Sequence, residues 1–125
     1  MNTSARNTRA RTSYHSGVAA EDIVARDYRN RGRSIACRRW RGKSGEVDLI
    51  ARNDDQVIFM EVKKSSSFDK AALMLGRRQM DRLCSAASEF LAGEPAGQLT
   101  DVRFDLALVN GRGEVRVIEN AFGAV

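Results

Sequence analysis

Gly45-Glu46-Val47-Asp48-Leu49-Ile50 and Phe59-Met60-Glu61-Val62-Lys63 are two strand-like runs separated by a polar turn, Asn53-Asp54-Asp55-Gln56. They carry Asp, Glu and Lys where a half-buried sheet normally places apolar side chains. Such charges are costly unless something compensates them, for example a metal ion. With a two-residue turn at Asp54 and Asp55, the strands span about 46–52 and 56–62. One face then pairs Asn53 with Gln56, Ala51 with Ile58, Leu49 with Met60 and Val47 with Val62, and beyond the turn it is wholly apolar. The other face pairs Arg52 with Val57, Ile50 with Phe59, Asp48 with Glu61 and Glu46 with Lys63, so its charge collects at the end away from the turn. In this register the Asp48 and Glu61 Cβ atoms are about 5 Å apart, a destabilising pair of like charges. A divalent cation between them reverses the sign of that interaction. A slip of one residue would turn Asp48 to the wrong face.

Carboxylate oxygens without thiol or imidazole suit Mg²⁺ or Mn²⁺. Lys63, two residues beyond Glu61, projects from the same face of its strand, where an ammonium can stabilise a phosphoryl oxygen or orient an attacking water. The alternative for Asp48, Glu61 and Lys63 is a salt-bridge cluster at a sheet edge.

Outward from the hairpin, residues 1–15 read as a basic, disordered arm with too few apolar groups to order, and 16–125 as one domain. A helix is expected from about Ser16 to Arg31, stopped by Gly32. Its inward stripe is Val18, Glu21, Val24, Ala25 and Tyr28. Glu21 either faces the core with a partner or, on a slightly rotated helix, lies at the rim. A first strand is expected over Ser34–Trp40. After Ser65-Ser66-Ser67 comes a helical stretch from about Asp69 to Leu91, broken near Gly76, with Met80, Leu83, Ala87, Phe90 and Leu91 as its stripe. Strands over Val102–Val109 and Glu114–Ile118 flank the turn Asn110-Gly111-Arg112-Gly113. This order gives an α/β sandwich around one mixed sheet, without internal repeats. Asp105, with Arg103, is expected to form a structural ion pair, and Glu119 and Asn120 to fix the C-terminal turn.

Composition narrows the chemistry. The chain has 125 residues, 42% of them hydrophobic, and no apolar run approaching a membrane span. The polar, basic N-terminus does not resemble a secretory signal. Cys37 and Cys84 lie far apart outside any CxxC pattern and are expected to be reduced, semi-buried thiols of a cytoplasmic protein. His15, the single histidine, lies at the edge of the basic arm. That argues against a Ser-His-Asp triad, an HNH-type nuclease site and a His-rich zinc site. Net charge is +5, and a run of basic residues between Arg26 and Lys43 has only Asp27 within it. This is the pattern of a phosphate-binding surface, or else of solvated arginines that maintain solubility.

The Glu21 helix, Gly45-Glu46-Val47-Asp48-Leu49-Ile50-Ala51, Val57-Ile58-Phe59-Met60-Glu61-Val62-Lys63, Arg103-Phe104-Asp105 and Ile118-Glu119-Asn120-Ala121-Phe122 resemble the YraN-like family over roughly residues 16–122. These bacterial proteins are considered similar to PD-(D/E)xK nucleases and Holliday-junction resolvases. The resemblance implies a restriction-endonuclease-like core, a central mixed sheet flanked by helices. It implies Asp48, Glu61 and Lys63 at the nuclease positions, with Asp48 and Glu61 holding Mg²⁺ (or Mn²⁺) at the open end of the hairpin, and Glu21 as the acidic residue of the first helix, supporting the metal or its water. Two departures stand out. Family members commonly carry a basic residue near Gln79, and Ser65-Ser66-Ser67 replaces a more basic segment.

The expected activity is metal-dependent hydrolysis of DNA phosphodiesters, at branched or damaged DNA. Arg38, Arg39, Arg41, Lys43, Lys64 and Arg78 are the candidate backbone contacts, holding DNA without reading its sequence. The resemblance to resolvases also implies a homodimer, since two strands of a branched duplex must be cut. A second reading is a nucleic-acid-binding module with this fold and little or no catalysis. A third is a protein-interaction domain.

Overall fold

The hairpin forms in the expected register, from Asn53·Gln56 through Arg52·Val57, Ala51·Ile58 and Ile50·Phe59 to Leu49·Met60. Asp54 takes a left-handed conformation, φ 54°, which a short Asp side chain tolerates in a two-residue turn. The computed structural model describes residues 19–72 and 76–121; the expected basic arm and the start of the first helix lie outside them. In chain order the elements are α1 (residues 19–30), β1 (Ser34–Arg41), β2 (Glu46–Asn53), β3 (Gln56–Lys64), α2 (Phe68–Ala72), α3 (Arg77–Leu91), a 3₁₀ turn (Gly97–Leu99), β4 (Val102–Val109) and β5 (Val115–Ile118).

The five strands form one mixed sheet in the order β1-β2-β3-β4-β5. All neighbours are antiparallel except β3 and β4, which run parallel. A parallel pair needs a long crossover, and here α2 and α3 supply it. The strand periodicity then divides the core into two layers. Leu49, Ala51, Ile58 and Met60 pack on Ala20, Val24, Ala25 and Tyr28 of α1. Ile50, Val57 and Phe59 pack on Leu83, Ala86, Ala87 and Leu91 of α3. Phe59 also meets Phe90 edge-on and stacks on Phe104, with centroids 5.7 and 5.5 Å apart. Burying each such side chain is worth about 1.5–3 kcal/mol, which makes the middle of β3 the anchor of both layers.

Helix ends follow local chemistry. Gly32, φ 83°, ends α1; its N–H bonds the Arg29 carbonyl at 3.0 Å and the Arg33 N–H bonds that of Tyr28 at 3.0 Å. That is a Schellman cap, requiring a residue comfortable at positive φ. Gly76 is extended and precedes α3, so the expected helical stretch is two helices. The last strand starts at Val115 because Glu114 still belongs to the turn, where its N–H bonds the Asn110 side chain. Both cysteines are free, and Cys84 is exposed rather than semi-buried, since it lies next to buried Leu83 but off its face of α3.

One expectation fails at a revealing place. Val47 is expected on the apolar face of the hairpin with Leu49, yet Leu49 packs in the α1 layer and Val47 in the α3 layer. Strand β1 changes face at the same level. Arg38, paired with Leu49, reaches Asp22 of α1, whereas Trp40, paired with Val47, lies in the α3 layer. Arg39 stands between them with φ 50°. A left-handed residue breaks the two-residue alternation of a strand, and Asp48 is the residue of β2 at that break. The β2–β3 ladder ends at Leu49·Met60. The expected ladder pairs Asp48·Glu61 and Glu46·Lys63 are therefore absent, and Glu46 pairs across β1 with Arg41.

Candidate active site

The charged residues gather where the sheet opens. The Val62 N–H, on the opened edge of β3, donates to Asp48 Oδ2 at 2.9 Å. The Asp48 carboxylate is thereby held near the plane of the sheet, at the split between the strands. Glu61 keeps the alternation of β3 and points to the α3 side, where its Oε1 lies 3.3 Å from Lys63 Nζ and accepts from Gln79 Nε2. Glu21 enters from α1. It is 6% exposed, so the inward orientation holds and the rim reading does not. Its partner is Arg39, whose Nε donates to Glu21 Oε1 at 2.9 Å.

The electrostatics are unfavourable by construction. Burial raises the Asp48 pKa, and the charges of Glu21 and Glu46 add to it; the Val62 N–H and Lys63 oppose the rise without cancelling it. Glu61 is pushed up to about 7, first by burial and then by the charge of Asp48, with Lys63 working the other way. Two neighbouring carboxylates, one buried and one half-buried, thus face one nearby ammonium. Among the described residues no three Asp, Glu, His or Cys side chains converge on a point. The donor set at hand is the all-oxygen pair Asp48 and Glu61. It fits a hard cation such as Mg²⁺, which uses one or two carboxylates and keeps most of its water.

Gln79 belongs to this centre and was not among the expected site residues. It lies four residues before buried Leu83, so it extends the inward face of α3 into the site, and a polar residue on that face was the available signal.

The basic run divides once its spatial neighbours are known. Arg31 pairs with Asp27, Arg33 with Glu119, Arg38 with Asp22, Arg39 with Glu21 and Arg41 with Glu46. Much of the charge that looked unopposed in the sequence is opposed by acids from elsewhere in the fold. Exposed Lys43, Lys64 and Arg78 make no such ion pair among the described residues.

Asp105 is a separate centre on the α1 side. It is fully buried and accepts from Arg103 at 2.8 and 2.9 Å, from the Tyr28 hydroxyl at 2.6 Å and from the Asn120 N–H at 3.0 Å. Arg103 also pairs with Glu119 at 3.5 Å. This is the expected ion pair, enlarged into a clamp that ties α1, β4 and the C-terminal turn together.

Fold and site define an α/β protein with a mixed five-stranded sheet and an acidic centre at a split between its second and third strands. A sequence profile for the uncharacterised protein family UPF0102 matches residues 20–109. A UPF0102 protein of Cereibacter sphaeroides (strain KD131) is 64% identical over 112 residues, covering 90% of this chain and 96% of that protein. One from Ruegeria pomeroyi is 56% identical over 116 residues, covering 93% and 94%. One from Roseobacter denitrificans is 47% identical over 119 residues, covering 95% and 92%. The chain belongs to the UPF0102 family, the YraN-like family that its hairpin motifs resemble.

Proposed function

We propose that this protein is a metal-dependent endodeoxyribonuclease with a PD-(D/E)xK-type core, acting in the cytoplasm on branched or damaged DNA. The observation that carries the reading is the Asp48–Glu61 pair: Glu61 buried and Asp48 half-buried, both raised in pKa, Glu61 in part by the charge of Asp48, and built only from oxygen donors. Asn or Gln at either position would relieve the repulsion, so an ionisable pair at this place points to a use for its charge.

Asp48 and Glu61 would hold Mg²⁺ or Mn²⁺. When bound, such an ion offsets charge on a phosphodiester under attack and makes a nearby water more acidic. The chain's own groups do the rest. Gln79 and Lys63 fix the Glu61 carboxylate, and the Val62 N–H fixes Asp48. The Lys63 side chain is 17% exposed, enough for its ammonium to meet a phosphoryl oxygen or orient the attacking water. Lys43, Lys64 and Arg78 supply backbone contacts that carry no sequence information. Cutting two strands of a branched duplex calls for two such sites, hence a homodimer.

The second reading, a DNA-binding module without turnover, draws on the Glu21–Arg39 ion pair, which withholds a third carboxylate. Nicking of supercoiled and branched DNA in Mg²⁺ or Mn²⁺ separates the two. Wild type cuts, and Asp48→Ala loses cutting while retaining DNA affinity. If both proteins bind and neither cuts, the module reading replaces the enzyme; if binding is absent or insensitive to salt, neither stands.

A further inference from the structure

Arg39 lies between the pairs Arg38·Leu49 and Trp40·Val47, so it stands opposite Asp48. Its positive φ is an unusual conformation for arginine, held by the face change that its two strands make together. The side chain is 36% exposed, whereas that of the Glu21 it holds is 8% exposed. The cation can be reached from solvent and the carboxylate cannot. A guanidinium fork matches phosphate as well as carboxylate. Glu21, meanwhile, lies close enough to Asp48 for its charge to raise the Asp48 pKa.

We infer that Arg39 is a substrate-responsive latch. In the free protein it holds Glu21 out of the Asp48–Glu61 pair; a nucleic-acid backbone phosphate that takes over the guanidinium releases Glu21 to complete the ligand set of the cation. This rests on the nuclease reading and adds regulation to it. The centre is then incomplete without DNA, which limits unproductive binding of cations. Coupling of this kind is reciprocal: DNA tightens the cation by the factor by which the cation tightens DNA.

The test is Mn²⁺ binding, by calorimetry and electron paramagnetic resonance, with and without a hydrolysis-resistant phosphorothioate duplex. Without the duplex, wild type and Glu21→Gln bind Mn²⁺ equally. With it, wild type tightens about tenfold and Glu21→Gln does not. Arg39→Gln binds as tightly without DNA as wild type does with it, and Arg39→Lys, which keeps the charge and serves if Arg39→Gln fails to fold, lies between. The latch is overturned if Glu21→Gln already weakens Mn²⁺ in the free protein, or if wild type binds both ligands without coupling. It is also overturned if Glu21→Gln shares the full gain, since that gain would then come from the field of the DNA itself. Absence of Mn²⁺ binding to wild type in every condition overturns the metal-dependent reading as well, and so separates the two failures.

Discussion

Two acidic centres lie in the same sheet, and they are built in opposite ways. Asp105 receives four hydrogen bonds, two of them from a guanidinium, and shares its neighbourhood with Arg103 and Arg33. Asp48 and Glu61 receive a backbone N–H, one amide and one ammonium between them, while the charge of Asp48 raises the proton affinity of Glu61 and the charges of Glu21 and Glu46 raise that of Asp48. A buried charge surrounded by donors belongs to the architecture. A partly buried pair short of compensation is a place where a cation can enter. Burial alone does not distinguish them; the balance of donors does.

Breaking the first centre should have the largest effect on stability. Asp105→Ala leaves the Tyr28 hydroxyl without its acceptor and the Arg103 guanidinium with only the longer Glu119 contact, and a loss of about 3–5 kcal/mol is expected by urea denaturation. Breaking the second should have the opposite sign. Glu61 rises from 4.5 to about 7 on folding, so its ionisation opposes the folded state. That unfavourable contribution is absent below about pH 4.5 and develops as pH rises through 7. Glu61→Gln should therefore exceed wild type by on the order of 1–2 kcal/mol at pH 8 with chelator present, and converge with it near pH 4.5. Millimolar Mg²⁺ should close the gap at pH 8 by stabilising wild type alone; a variant less stable than wild type at both pH values would put Glu61 with Asp105 as an architectural acid. The smallest effect is at the edge of the clamp. Tyr28→Phe removes one hydrogen bond to a charged acceptor while keeping the packing of α1 on the sheet, and about 1–2 kcal/mol should be lost, as read from the same denaturation curves.

The apolar end of the hairpin was legible because its information is local. Alternation of Leu49, Ala51, Ile58 and Met60 against Ile50, Val57 and Phe59, together with a two-residue turn, leaves a single register that buries both sets. Glu21 was legible in part: helical spacing placed it on the inward stripe, but spacing cannot name a partner eighteen residues away on another strand. The charged end was less legible. Arginine carries no preference for a left-handed backbone, so nothing at Arg39 announced the face change that moves Val47 to the α3 layer and ends the ladder before Asp48. Nor could the run from Arg26 to Lys43 show that Asp22, Glu46 and Glu119 would fold back onto it. These are consequences of tertiary packing, and they decide both how open the acidic centre is and which surface cations stay outside ion pairs among the described residues.

The pairing of Asp48 with Glu61 as a cation site is tested most directly by anomalous diffraction from crystals soaked in millimolar Mn²⁺ at pH 8, where Glu61 is ionised. The expected result is a manganese peak bridging the two carboxylates that disappears in Asp48→Asn. Well-ordered density for both side chains with no anomalous peak between them would contradict it.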